Sequence, residues 1–209
     1  VEADYWHQLW DRGETGWDQP TPNRFLVSHW DKLNVPPGGA VFVPLCGKSE
    51  DMNWLVDAGH DVLGVELDES AVQAFFAERS TLPTVTQEGK FTVYRTKRVS
   101  IFVGDVFDLV PEQLSQAIAV YDRAALIALP APMRGQYVSH LNNALPPQAK
   151  LLVVTFEIPA KEDSEPPFSV EQKEVEKLWG KAYQLNVLDR QPFDLEGVSA
   201  VEVVYRIEP

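Results

Sequence analysis

Cys46 is the only cysteine in the chain, so no intrachain disulfide forms and a cysteine-only metal site is excluded. The four histidines, His7, His29, His60 and His140, show neither HxxxH nor HxH spacing, and a metal centre therefore has no ligand pattern to rest on. Long apolar runs are missing as well. Stretches such as Leu151 to Phe156 are too short to cross a bilayer, and no basic–apolar signal segment opens the sequence. Positive charge is scarce: 18 Lys and Arg stand against 31 Asp and Glu, for a net charge of −13 and a pI near 4.7. Such a surface repels phosphate backbones, which argues against nucleic acid as a partner. The expectation is a reducing, cytoplasmic compartment with no membrane contact.

What is present suits a globular fold. The 209 residues are 44% hydrophobic and 23% charged, and a chain of this length buries roughly 70% of its unfolded surface. One domain over residues 1–209 is expected, with 1–38 as an aromatic lid segment, 39–209 as the core, and a monomer as the assembly.

The first forty residues carry Tyr5, Trp6, Trp10, Trp17, Phe25 and Trp30. Tyr5, Trp6, Leu9 and Trp10 share one face of a short helix, which Gly13 and Gly16 interrupt. Asn23 to Leu33 reads as a second helix, stopped by Pro36-Pro37-Gly38-Gly39. From Ala40 the rhythm changes. Ala40 to Leu45 and Asp61 to Glu66 are short apolar runs suited to buried strands, each followed by a helix, Asp51 to Ala58 and Glu69 to Arg79. Thr81 to Arg98 is polar and reads as a loop or hairpin. Ser100 to Val103, Ala117 to Tyr121 and Leu151 to Phe156 are further strands, with helices over Pro132 to Leu145 and Val170 to Trp179. Pro159 to Pro167 is a long proline-rich connection. Ala182 to Leu188 and Ala200 to Ile207 have no helix between them and close the chain as an antiparallel pair. The result is an α/β fold with a mostly parallel seven-stranded sheet and helices on both faces. This is similar to the architecture of the Rossmann-like, class I S-adenosylmethionine-dependent methyltransferases, a likeness of fold that does not by itself fix the chemistry.

In such sheets ligands sit beyond the carboxyl ends of the strands, at the switch point. Those ends read Leu45-Cys46-Gly47-Lys48, Glu66-Leu67, Gly104-Asp105-Val106 and Asp122-Arg123. Glu66 ends the second strand, where an acidic side chain accepts hydrogen bonds from the ribose hydroxyls of an adenosine. Its competing role, capping the next helix, is open to Asp68 instead. Gly47 permits close backbone approach, yet Pro44 to Lys48 is not GxGxxG, so the pyrophosphate cradle of NAD or FAD is missing. Asp105 is equally a partner for an adenine amino group or a turn aspartate. Arg123 brings a guanidinium to the cleft, either paired locally with Asp122 or facing an anionic acceptor. Trp6, Trp10 and Trp17 are packing residues or a lid that excludes water. Cys46 has no neighbouring base and is a bystander.

Several segments, in this order, carry a resemblance: Tyr5-Trp6-His7-Gln8-Leu9-Trp10, Gly16-Trp17-Asp18-Gln19, Val43-Pro44-Leu45-Cys46-Gly47-Lys48-Ser49, Gly59-His60, Gly64-Val65-Glu66, Phe107-Asp108-Leu109, Tyr121-Asp122-Arg123-Ala124-Ala125-Leu126 and Pro166-Pro167-Phe168. Over essentially its whole length the sequence resembles the thiopurine S-methyltransferase family. The resemblance implies S-adenosylmethionine as cofactor, held by Trp6, Trp10, Leu45, Gly47, Glu66 and Leu67, with Asp105 and Val106 bordering the adenine. Arg123 would stand between methyl donor and acceptor, and Trp17, Pro167 and Phe168 would line the acceptor side. One departure is clear: where the family often shows Gly-Phe-His-Gln, this chain has Gly-Trp-Asp-Gln, which bears on acceptor size and charge.

The implied reaction is in-line displacement by the sulfur of a small aromatic or heterocyclic thiol, with Arg123 orienting the acceptor. Three other readings are open on sequence: methylation of selenium or tellurium species in metalloid detoxification, a nicotinamide-dependent oxidoreductase, and a binding protein without turnover.

Overall fold

The computed structural model describes residues 3–159 and 165–209. Its helices are α1 (Ala3–Arg12), α2 (Arg24–His29), α3 (Glu50–Asp57), α4 (Glu69–Glu78), α5 (Pro111–Leu114), α6 (Ala125–Ala128), α7 (Ala131–Ala144) and α8 (Gln172–Trp179). Its strands are β1 (Ala40–Pro44), β2 (Asp61–Glu66), β3 (Thr84–Glu88), β4 (Phe91–Arg95), β5 (Val99–Val103), β6 (Ala117–Asp122), β7 (Lys150–Glu157), β8 (Gln184–Leu195) and β9 (Val198–Glu208). Part of the proline-rich connection, residues 160–164, lies outside the described residues.

The sheet runs β3-β4-β5-β2-β1-β6-β7-β9-β8. Its centre, β5-β2-β1-β6-β7, is parallel, and β9 and β8 finish it antiparallel. Nine strands are present, not the expected seven. The polar stretch Thr81 to Arg98 holds the two extra ones, since β3 and β4 form a hairpin closed by Gly89-Lys90, and β4 pairs antiparallel with β5. Gly89 takes φ +62°, the left-handed geometry a tight two-residue turn needs. The residues of β3 are almost all exposed, which is why no hydrophobic pattern marks it.

Alternation along the central strands divides the core in two. Phe42, Val65, Phe102 and Val120 enter one cluster, with α7 and α8 above them. Val41, Val43, Ile101 and Tyr121 enter the other, covered by Phe25, Leu26, Trp30, Leu33, Met52 and Phe75. Each large apolar side chain buried this way contributes about 1.5–3 kcal/mol. The inward face of residues 24–33, Phe25, Leu26, His29, Trp30 and Leu33, is thus core, whereas α1 has no buried residue. Side-chain caps begin the helices that flank the switch point: Asn23 for α2, Ser49 for α3 and Asp68 for α4.

The chain leaves β1 on one side for β2 and later returns to its other side as β6. The crevice beyond their carboxyl ends is therefore the switch point, bounded by Leu45 to Gly47 on one lip and Asp122-Arg123 on the other.

Candidate active site

Beyond Pro44 the backbone turns sharply. Leu45 takes φ +47° and Gly47 φ +51°. The left-handed region costs a leucine roughly 1–2 kcal/mol, and strain of this kind persists where the surroundings enforce it. Two bonds enforce it here: the Cys46 N–H donates to the Val65 carbonyl at 3.0 Å, and the Gly47 N–H to Glu66 Oε2 at 2.8 Å.

Glu66 is buried, 7% exposed, and its other oxygen, Oε1, accepts from the N–H groups of Leu67 (2.8 Å) and Asp68 (2.9 Å). Burial pushes its carboxyl above the usual carboxylate range in spite of these three bonds. A carboxylate offers about four acceptor positions, so one is left over for a hydroxyl. The helix-capping role belongs to Asp68, which accepts from the Ser70 N–H at 2.9 Å. Cys46 packs inward, 4% exposed, against Gly64, where an added Cβ would stand 2.8 Å from its Sγ. Burial first, and the nearby Glu66 charge second, hold its thiol well above the ordinary range, so it stays protonated and is no nucleophile.

The opposite lip is built on Asp122, 1% exposed, which accepts from the N–H groups of Ala125 and Leu126 and from the Tyr137 hydroxyl at 2.7 Å. Burial pushes its carboxyl up to about 6. Asp122 is thus spent inward. Arg123 pairs instead with Asp51, Nε to Oδ2 at 3.0 Å, and donates from Nη1 to the Trp17 carbonyl at 3.2 Å. The local Asp122–Arg123 pair does not form.

Helix α1 and the segment after it roof the crevice. Trp6 and Trp10 both meet Trp17 edge to face, with centroids 5.5 and 5.8 Å apart. A Cβ added at Gly47 would lie 3.3 Å from the Trp10 ring, so this position admits the indole because it has no side chain. Two polar ties hold the roof: His7 Nδ1 to Asp68 Oδ2 at 2.6 Å, and Asp18 Oδ2 to Lys48 Nζ at 3.1 Å. The Glu78 and Asp18 carboxylates raise the Lys48 ammonium above its ordinary value.

A cleft of about 370 Å³, solvent at its mouth included, is lined by Trp17, Asp18, Leu45, Gly47, Asp51 and Arg123 among others. Trp6 and Trp10 adjoin it through Trp17, and Glu66 and Leu67 stand behind Gly47. Asp105 is exposed and accepts from the Phe107 N–H; Val106 beside it is buried. Phe168 is not on the cleft. It is 2% exposed, its N–H donates to the Ile127 carbonyl at 2.7 Å, and its ring lies 5.7 Å from the Arg134 guanidinium. Pro167 precedes it across a cis bond from Pro166. Lys48 and Tyr121, both beside the strand ends, also line the cleft, as does Asp51, which nothing in its local sequence marks. Asp51 sits within a helical pattern that already explains it, and its partners are 28 and more residues away.

Among the described residues, no group of three or more His, Cys, Asp or Glu is placed to hold a metal, and no helix is long and apolar enough to cross a membrane. The residues present fit an adenosine-bearing, phosphate-free cofactor. They offer a carboxylate with spare acceptor capacity, a glycine admitting an aromatic ring, and aromatic walls, with no successive glycines at a helix N-terminus to cradle a pyrophosphate.

Comparison with known proteins agrees. The family model for thiopurine S-methyltransferase matches residues 1–204. The thiopurine S-methyltransferase of Pseudomonas fluorescens strain SBW25 is 41% identical over 215 residues, covering 99% of each chain. A probable thiopurine S-methyltransferase of Yarrowia lipolytica is 38% identical, covering 99% of this chain and 100% of its own. Among solved structures, 1,6-didemethyltoxoflavin-N1-methyltransferase of Burkholderia thailandensis superposes with a TM-score of 0.71 at 16% identity, over 99% of this chain and 87% of that one. A SAM-dependent methyltransferase from Anabaena variabilis gives 0.66 at 15%, over 100% and 96%. These two show the shared fold, and the whole-length sequence matches show more: the chain belongs to the thiopurine S-methyltransferase family.

Proposed function

We propose that this chain is an S-adenosylmethionine-dependent S-methyltransferase acting on small aromatic or heterocyclic thiols. The observation that carries the reading is Glu66, a buried carboxylate braced at the end of β2 against the Gly47 N–H, with an acceptor position to spare. S-Adenosylmethionine supplies a methyl group on a cationic sulfur, open to in-line displacement by a sulfur nucleophile. Glu66 accepts from one ribose hydroxyl, and Leu45, Gly47 and Leu67 shape the backbone around the nucleoside. Asp105 and Val106 border the adenine. Trp6, Trp10 and Trp17 keep water out. A thiolate and a sulfonium lose their opposite charges as they react, so dry aromatic walls favour the transition state. Orientation supplies much of the rest.

No histidine lines the cleft, and none is needed. Aromatic thiols ionise near neutral pH, and the Arg123 guanidinium orients the anion and favours it. On the acceptor side Trp17 sets the wall and Asp18 the charge, while Pro167 contributes through its loop. Phe168 supports that loop from the core.

The nicotinamide reading is set aside by the family match and by the single glycine after β1. Nothing in the cleft favours a selenium or tellurium acceptor over sulfur. A monomer working in the cytoplasm accords with the acidic composition and the single buried cysteine. The test is methyl transfer from labelled cofactor to a panel of thiols, thiopurines and metalloid oxyanions, with products identified by mass spectrometry. Methylated thiols are expected. Turnover on metalloids alone, or on nothing, would defeat the reading.

A further inference from the structure

We propose that Asp51 is the positioning residue of the acceptor side, setting the Arg123 guanidinium and the strap of residues 17–23 in a single arrangement. The inference rests on the role given above to Arg123 and adds the residue through which that role is fixed.

Asp51 is 2% exposed and lies in the first turn of α3. An acidic residue there ordinarily serves its own helix. That need is already met, because Ser49 caps α3 by accepting from the Asp51 N–H at 3.2 Å. Both oxygens of Asp51 point elsewhere. Oδ1 accepts from the Asn23 N–H at 2.6 Å; Oδ2 accepts from the Tyr121 hydroxyl at 3.0 Å and forms an ion pair with Arg123, whose Nε lies 3.0 Å away. Burial and the Asp51 charge keep the Tyr121 hydroxyl protonated to well above its ordinary range, so it stays a donor.

The strap is gripped at both ends by this one carboxylate. Asn23 is held directly, and Trp17 indirectly through Arg123 Nη1 on its carbonyl. Arg123 is only 10% exposed along its side chain, so its rotamer is decided by the ion pair with Asp51 and the bond to the Trp17 carbonyl, and not by solvent. A guanidinium anchored through Nε and one edge presents a fixed fork to the cleft. The Asp51 charge also offsets its own. The acceptor therefore meets a directed pair of N–H donors more than a bare cation.

The test is a double-mutant cycle of Asp51→Asn, which is near-isosteric, and Arg123→Gln, which removes the guanidinium but keeps a polar side chain. Four quantities are read: kcat and KM for a thiol acceptor, the dissociation constant of S-adenosylhomocysteine by calorimetry, and hydrogen exchange over residues 17–23 in the S-adenosylhomocysteine complex. Each single variant is expected to lower kcat/KM by about 10–100-fold, through lost orientation. Cofactor affinity is expected to stay within about threefold, and exchange over 17–23 to rise. In kcat/KM the double variant is expected to lose clearly less than the product of the two single losses, because the part of Asp51 that orients the acceptor acts through Arg123. Tyr121→Phe, which removes one bond and keeps the ion pair, is the milder second variant. It is expected to show a smaller loss with the same non-additivity, and it keeps the question decidable if Asp51→Asn does not fold. Multiplicative losses in the double variant, equal losses in cofactor affinity and turnover, or unchanged exchange over 17–23 would each overturn the proposal. A wild-type protein that methylates no thiol would sink the proposed function alone, since the exchange cycle reads Asp51 without any acceptor.

Discussion

His7 Nδ1 lies 2.6 Å from Asp68 Oδ2, and Asp68 is also the residue that caps α4. One carboxylate thus ties the roof helix to the turn that follows Glu66. Burial raises the Asp68 carboxyl, but the bonds from Ser70 and His7 outweigh it and hold it below the usual carboxylate range. Its share of the tie therefore persists above that range and is lost only as the pH falls through the lowered value. The pair is partly exposed, so His7→Ala should speed cofactor release by only about two- to fivefold. Stopped-flow displacement of bound S-adenosylhomocysteine measures it. An unaltered rate would detach α1 from cofactor retention.

Glu66→Gln should weaken cofactor binding by about 1–3 kcal/mol, the value of charge-assisted hydrogen bonds to a carboxylate. The pH dependence follows from the buried ionised form. A ribose hydroxyl donates to the carboxylate, so binding should weaken as acidification protonates Glu66, beginning above the ordinary carboxylate range because burial raises its pKa. Calorimetric titrations across that range check the sign. Binding that is flat with pH in the wild type and unchanged in Glu66→Gln would remove Glu66 from the cofactor site.

Asp122 supplies a second pH signature, this time in stability. Burial lifts its carboxyl from an ordinary 3.8 to about 6. Its contribution is fully present below the unfolded value and fades as the pH rises through the folded one. The fade amounts to about 2–3 kcal/mol at 1.36 kcal/mol per unit. In Asp122→Asn the side-chain oxygen can still accept from the Ala125 and Leu126 N–H groups, and the fade is absent. Urea denaturation should show the variant gaining on the wild type between about pH 4 and 6. A constant difference across that range would contradict the assignment.

Cys46, though adjacent to Gly47, is expected to be chemically silent. Cys46→Ala should keep methyl transfer within about threefold, and a thiol reagent should label the wild type only after unfolding, since buried protonated thiols react poorly. Rapid labelling of the folded protein would show that the β1 loop opens.

Much of this site could be read from the strand ends. β2 is reproduced residue for residue as Asp61 to Glu66, because a strand covered on both faces is a run of apolar residues with hard stops. Glu66, Gly47 and Arg123 follow from knowing where such strands end. The hairpin of β3 and β4 was less legible, since an exposed edge strand needs no apolar face and its pairing is decided by β5. Hidden too was the company Arg123 keeps. Its neighbour in sequence, Asp122, points into the core to cap α6, and the carboxylate that matters comes from α3, 72 positions earlier. Nor does sequence show that Phe168, beside the acceptor loop, turns away toward Arg134. Long-range polar pairing leaves no local periodicity to detect.

The three indoles gathered over the crevice give the molecule its own optical gauge. Trp6, Trp10 and Trp17 are coupled edge to face in the roof, while Trp30 and Trp179 are sealed in the core and Trp54 is half-buried. Movement of α1 away from Gly47 would wet half of the six tryptophans and uncouple their transitions, leaving the two core indoles as an internal standard. Red-shifted emission and a fading near-ultraviolet circular dichroism band would then report roof opening in the native chain, with no dye attached.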